Sequence, residues 1–295
     1  MSITTDDFKI TGTFSIENTP TNIELELTAK KKVKKIEKTS VKLGKLQDKM
    51  YANNRYGVLI CIQGMDTSGK DSLIREVFKN FNARGVVVHS FKTPTPNELD
   101  HDYLWRHYIA LPERGKFSVF NRSHYENVLV TRVHPEYLLN ENLPGIEKVK
   151  DITEGFWEER FKQINSFEKH IAQNGTIVLK FFLHLSKEEQ RQRLLRRLEK
   201  EERYWKFSAG DLDERDLWGK YQKYYEEAIN KTSTNHAPWY AIPADDKETA
   251  RLLVAKAILN ELKKYDFQEP EVNEDVLDNI ALYRVKLLNE KPGNK

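Results

Sequence analysis

An apolar run, Val58-Leu59-Ile60-Cys61-Ile62, leads through Gln63 into Gly64-Met65-Asp66-Thr67-Ser68-Gly69-Lys70. Beyond it, Asp71 to Asn80 carries Leu73, Ile74, Val77 and Phe78 at helical spacing, with Phe81 next in step. A buried strand, a G-x-x-x-x-G-K loop and a helix, in that order, read as a phosphate-binding loop. Two glycines let backbone N–H groups turn inward around an anion, the helix aims its positive end at the same point, and the lysine adds a point charge. The expected phosphate contacts are Gly64, Thr67, Ser68, Gly69 and Lys70. The Ser or Thr that usually follows the lysine and holds magnesium is replaced here by Asp71. Any metal is therefore expected on Asp66, inside the loop.

The rest of the chain alternates strand and helix signals. Strands are expected at Gly85–His89, Phe117–Phe120, Thr176–Leu185 and Trp239–Pro243. Helices are expected over Lys34–Met50, Asp102–Ile109, around Trp157–Ile171, and over Ser186–Arg203, Leu212–Lys231 and Lys247–Lys264. Such alternation predicts an α/β fold with a parallel sheet covered on both faces. Residues 1–55 form an N-terminal arm and a basic helix in this reading, and residues 56–265 the main domain. Phe8, Ile10, Phe14 and Ile16 alternate like a short strand or an extended arm. In the tail, 266–295, Val276, Ile280, Tyr283 and Leu287 recur at helical spacing, which predicts a helix docked on the body or on a second subunit.

The 295 residues suffice for a sizeable core, and no apolar run reaches the ~18 residues that a membrane-spanning helix needs. The N-terminus shows no charged-then-apolar leader, so a cytoplasmic protein is expected. The single cysteine, Cys61, falls mid-strand and is expected to be inert packing. A net charge of +3 does not point to nucleic acid. The lysines are concentrated, however: Lys30, Lys31, Lys32, Lys34, Lys35, Lys38, Lys42, Lys45 and Lys49 crowd one segment. That segment reads either as a solvated helix face or as a guide for a polyanion.

In open parallel sheets ligands bind beyond the carboxyl ends of the strands. That rule selects Asp66 and Lys70 after the first strand, Lys92 and Thr93 after the second, and Asn121, Arg122, Ser123 and Glu126 after the third. Further on, Arg193, Arg196, Arg197 and Lys200 share one helical face while Leu194, Leu195 and Leu198 take the other. The arrangement fits a solvated helix with a Glu189–Arg193 pair, or an arginine-rich lid over phosphates, spanning about 186–225. His101 and His107 are six apart and do not make a helical metal pair, and His124 is expected to bond backbone in a tight turn.

The loop Gly64–Asp71, the segment Ser90-Phe91-Lys92-Thr93-Pro94-Thr95, the run Phe120-Asn121-Arg122-Ser123-His124-Tyr125-Glu126, and Ala237-Pro238-Trp239-Tyr240 with Ala244-Asp245-Asp246-Lys247 resemble the polyphosphate kinase 2 family, in the family's order over about residues 30–265. The resemblance implies a thymidylate-kinase-like P-loop kinase fold, a three-layer sandwich with a helical lid. It also implies Mg2+ and reversible transfer of phosphate between inorganic polyphosphate and AMP or ADP, giving ADP or ATP. Many members carry aspartate where this chain has Asn121, and the Asn-Arg-Ser-His form resembles the third class, which accepts AMP as well as ADP.

On that reading Asp66, Lys70, Asn121 and Arg122 are catalytic, with Arg122 and Glu126 binding nucleotide and Asp66 and Glu126 holding metal. Lys92, Arg193, Arg196 and Arg197 would bind polyphosphate with the loop. The acceptor phosphate is already ionised, so positioning and charge neutralisation suffice and no strong general base is required. A homo-oligomer is expected, without membrane or nucleic-acid partners. Two rivals stand beside it: an ATP-dependent nucleotide kinase, which leaves the lysine-rich helix without a role, and a basic nucleic-acid binder, which leaves the loop without one.

Overall fold

A computed structural model describes residues 4–199, 201–206 and 208–290. Lys200, expected on the basic helix face, lies outside them. Five strands, β1 (Gly57–Gln63), β2 (Val86–Ser90), β3 (Phe117–Asn121), β4 (Thr176–His184) and β5 (Trp239–Pro243), make one sheet in the order β2-β3-β1-β4-β5. All four pairings are parallel, with Ile60 of β1 opposite Val119 of β3 and Leu179 of β4. The central strand is buried along its whole length. Its unbroken apolar run is what a strand covered on both faces requires.

The main helices are α1 (Ala29–Asn53), α2 (Lys70–Phe78), the one-turn α3 (Pro96–Leu99) and α4 (Trp105–Tyr108), α5 (Glu126–Val133) and α6 (Glu154–Gln173). After β4 come α7 (Lys187–Leu198), α8 (Gly210–Asp216), α9 (Trp218–Thr232), α10 (Lys247–Leu262) and α11 (Glu274–Asn289). Helices α1, α2 and α10 pack together on one face of the sheet, and α5, α6 and α9 on the other. Successive residues of β1 serve the two faces in turn: Val58, Ile60 and Ile62 join Leu73 and Val77, whereas Leu59 and Cys61 join Phe120 and Ile171. The expected α/β sandwich is thus a three-layer one.

Helix α1 begins earlier than its apolar stripe suggests, because Thr28 caps it by accepting from the Lys31 amide. Ile36, Leu43 and Met50 are buried, and Lys34, Lys35, Lys38, Lys42, Lys45 and Lys49 stay exposed. Expectation and structure part at four places. The predicted helix over Asp102–Ile109 shrinks to α4, since Asp102 Oδ1 takes the Leu104 amide into a local turn. Leu212–Lys231 divides into α8 and α9 at Leu217. The helix expected to reach Arg203 ends at Leu198. And α5 was not expected, because Val128, Val130, Thr131 and Val133 are poor helix formers. Burial of Val128, Leu129 and Val133 forms it instead.

The N-terminal segment is an extended arm rather than a strand: Lys9 makes one isolated antiparallel bridge to Tyr240, and Ile10 N–H donates to the Trp239 carbonyl at 2.8 Å. Because β1 connects to β2 on one side while β3 leads to β4 on the other, the chain reverses around β1. The carboxyl ends of β1 and β3 therefore open into a crevice. Among the described residues no helix is long and apolar enough to cross a membrane.

Candidate active site

The loop between β1 and α2 is shaped by residues in the left-handed region: Gly64 at φ 152°, Thr67 at 65° and Gly69 at 102°. A methyl group on Gly64 would stand 2.9 Å from both the Leu183 carbonyl oxygen and Ser68 Oγ, so only glycine lets the loop approach β4 this closely. Lys70 folds back across the loop, its Nζ donating to the Gly64 carbonyl at 2.7 Å and the Met65 carbonyl at 3.2 Å. Burial, and secondarily the Arg122 charge, bring its pKa down to about 8 against the pull of Asp66, Glu126 and Asp71. Both of these hydrogen bonds go to neutral carbonyls, so no anion is hydrogen-bonded through them. A bound phosphate would supply one.

Arg193 corrects the sequence expectation. It is buried, and each of its N–H groups is engaged: Nε on Glu189, Nη1 on the Thr67 and Ser68 carbonyls at 3.0 Å, Nη2 on the Ala244 and Asp245 carbonyls at 2.7 and 2.9 Å. A guanidinium has five donors, and all five are spent on the protein. Arg193 therefore clamps the loop from behind instead of reaching over a phosphate. Gln190, one turn earlier, donates to the Asp66 carbonyl at 3.1 Å, so α7 is anchored to the loop at its base. The expected division of α7 into basic and apolar faces also fails, since Arg193 is buried while Leu195 and Leu198 are exposed. Arg196 is exposed beside Glu189, and half-buried Arg197 bonds Asp211 at 3.0 Å.

Across the crevice, Arg122 sits in the left-handed region at φ 61° directly after β3. Its Nη2 meets Asp66 Oδ1 at 2.7 Å and its Nη1 meets Glu126 Oε2 at 3.0 Å, tying the loop to the start of α5. Glu126 above all, with Asp66, holds the guanidinium even more firmly charged. The turn that carries it is fastened from below. Ser123 Oγ accepts from Gln63 Nε2 at 3.0 Å, and a buried network follows in which Lys180 Nζ donates to Glu168, Tyr125 and the Thr232 carbonyl at 2.6, 2.7 and 2.8 Å. His124 joins it through Nε2, 3.1 Å from Glu168 Oε1, and so bonds a carboxylate rather than backbone. Nothing in the local pattern marked Lys180, a lysine in the middle of an otherwise apolar strand. The signal available was its lack of any exposed position there.

Behind Arg122 opens a cavity of about 620 Å³, lined in part by Phe91, Lys92, His107, Glu126, Thr131 and Tyr137. Arg106 lies 5.0 Å over the Phe91 ring, and burial pushes the His107 imidazole well below its usual pKa, which keeps it neutral. His107 Nδ1 and Thr131 Oγ are buried without a partner. The sequence placed Lys92 at this crevice, but as a polyphosphate ligand, and weighed His107 only as a metal ligand; it missed Tyr137, and it missed Thr131 because α5 was not expected.

For a divalent cation the donors are sparse: among the described residues no three His, Cys, Asp or Glu side chains converge. Magnesium, however, usually takes one or two carboxylates and completes its shell with water and substrate phosphate. Asp66 and Glu126 each give one oxygen to Arg122, which leaves the second for such an ion. Asn121 stands apart from them, with Nδ2 donating to Asp71 Oδ1 at 2.7 Å and its buried Oδ1 unpartnered.

A sequence model of the polyphosphate kinase 2 family (PPK2) matches residues 26–142 and 140–270. The chain belongs to this family. It is 44% identical over 270 residues to an ADP-polyphosphate phosphotransferase of Rhodopseudomonas palustris, covering 91% of this chain and 92% of that one. To an AMP/ADP-polyphosphate phosphotransferase of Meiothermus ruber it is 45% identical over 230 residues, 78% and 80% of the two chains. The crystal structure of polyphosphate kinase 2 from Arthrobacter aurescens superimposes with a TM-score of 0.86 at 32% identity, over 96% of this chain and 98% of that one.

Proposed function

We propose that this member of the polyphosphate kinase 2 family transfers phosphate between inorganic polyphosphate and AMP or ADP, in both directions. The observation that carries the reading is the position of Arg122, pinned between Asp66 of the phosphate loop and Glu126 at the mouth of the cavity. One guanidinium thus borders both the place for a donor phosphate and the place for an acceptor nucleotide. The relatives' names supply the substrates, polyphosphate with ADP or with AMP and ADP.

In this reading the loop amides and Lys70 hold the transferring phosphoryl group, and Arg122 spreads its charge between donor and acceptor oxygens. The acceptor phosphate needs no proton removed. Catalysis then rests on alignment and on charge fixed in advance, which cost no reorganisation during transfer. Asp66 and Glu126 would hold Mg2+, which when bound neutralises phosphate charge. Asn121 keeps Asp71 in place beside the loop. Arg196 and Arg197 remain candidates for the polyphosphate side, and the exposed lysines of α1 for its approach. Incubating the protein with polyphosphate, Mg2+ and either AMP or ADP, then separating the nucleotides, tests the proposal. ADP should appear from AMP and ATP from ADP. Turnover with ATP as donor but none with polyphosphate would overturn it.

A further inference from the structure

Beneath the turn that carries Arg122 lie four buried side chains that can bear charge or hydrogen-bond: His124, Tyr125, Glu168 and Lys180. None of them lines the cavity behind Arg122. Lys180 Nζ uses its three donors on Glu168 Oε2, the Tyr125 hydroxyl and the Thr232 carbonyl. Glu168 Oε1 accepts from the Tyr125 hydroxyl at 2.8 Å and stands 3.1 Å from His124 Nε2. Two charges taken out of water are costly, and a well-packed apolar pair in their place is commonly as stable or more so. Stability is therefore a poor account of Glu168 and Lys180. A fixed geometry is a better one.

Ser123, His124 and Tyr125 follow Arg122 directly, and the last two are bonded to Glu168. Arg122 itself holds a left-handed φ of 61°, which a residue other than glycine keeps only where its surroundings over-determine it. Its side-chain bonds to Asp66 and Glu126 are not enough for that. Those two carboxylates are 31% and 23% exposed and are the groups placed to take Mg2+, so their hold on the guanidinium changes when metal and phosphate bind. The buried anchor does not change. The His124 ring also stands 5.8 Å from the ring of His107 on the cavity wall, so the same anchor bears on the place for the acceptor.

We infer that Glu168 and Lys180 are positioning residues of the transfer reaction, holding the Ser123–Tyr125 turn so that Arg122 keeps its place between donor and acceptor. The inference rests on the role given to Arg122 above. Removing one partner strands the other charge, so the two are exchanged together, Lys180→Met with Glu168→Gln. Turnover of ADP and polyphosphate by the full-length chain, beside a thermal melt, should show kcat down by roughly tenfold or more with both KM values within about twofold, since a misplacement of about 1 Å alone can cost about a hundredfold. Tyr125→Phe removes only the hydroxyl that joins the turn to the pair, keeps the fold, and should lower kcat by roughly threefold or more. The same exchanges in an Arg122→Ala chain should lower its residual kcat by less than about twofold, because residues that act through one group do not add. A folded pair variant or Tyr125→Phe chain with wild-type kcat overturns the inference, and so does an equal loss with and without Arg122. Arg122→Ala at the wild-type rate would overturn the role of Arg122 as well, which tells the two failures apart.

Discussion

Asp66 and Arg122 are 56 residues apart in sequence, yet the carboxylate of the first lies 2.7 Å from the guanidinium of the second. The contact joins the loop after β1 to the turn after β3, so two adjacent strands present one site. Neither side chain is placed by its own neighbours alone. Asp66 is steadied through its carbonyl by Gln190, and Arg122 by a turn anchored on the buried Lys180–Glu168 pair.

Lys70 should cost the apo protein stability. Its pKa is about 8 in the folded chain against an ordinary 10.5, so folding works against its charge. The penalty is complete below pH 8, where the amine is charged in both states, and fades as pH rises towards 10.5, because the unfolded chain then holds the extra proton. Lys70→Met should accordingly melt a few degrees above wild type at pH 7, with the gap closing towards pH 10. An equal or lower midpoint at pH 7 would show that the half-buried amine is not strained.

Arg193 should act on the loop and not on substrate. Lysine keeps the charge but has only three donors, so Arg193→Lys leaves buried carbonyls unpaired at about 1–3 kcal/mol each. The thermal midpoint should fall by roughly 5 °C or more. Amide exchange at Thr67 to Gly69 should quicken with it. A variant that melts like wild type and shows only a raised Michaelis constant for polyphosphate would return Arg193 to the phosphate.

The lysines of α1 separate a guide for a long polyanion from a solvated face. Reversing two charges among Lys34, Lys38, Lys42, Lys45 and Lys49 should raise the Michaelis constant for long polyphosphate, and short donors should suffer less. The effect should shrink with salt, as the Debye length falls from about 10 Å at 0.1 M to about 3 Å at 1 M. Equal effects on long and short donors, or none, would leave these lysines as a solvated face.

Much of the fold is legible in the sequence because β1, β3, β4 and β5 are buried on both faces and so read as nearly continuous apolar runs, while the edge strand β2, with Val87 and Val88 exposed, is marked by its β-branched residues. Gly64, Lys70 and Arg122 are legible for a related reason: each stands just past such a run, where the fold opens its crevice. Arg193 shows the limit. Helical periodicity groups it with Arg196 and Arg197, but only tertiary packing decides which of the three turns inward, and carbonyls of the loop and of Ala244 and Asp245 draw Arg193 in. Helix α5 was illegible because its β-branched residues argue against a helix that burial enforces. With it went the cavity wall at Thr131.

The most direct measurement is turnover of ADP and polyphosphate by wild type, Lys70→Ala and Asp66→Ala, each beside a thermal melt. Wild type should form ATP, and both variants should stay folded while losing on the order of a hundredfold or more, the usual cost of removing one preorganised charge contact. A folded variant of either kind that keeps its rate within about threefold of wild type would contradict phosphate transfer at this loop.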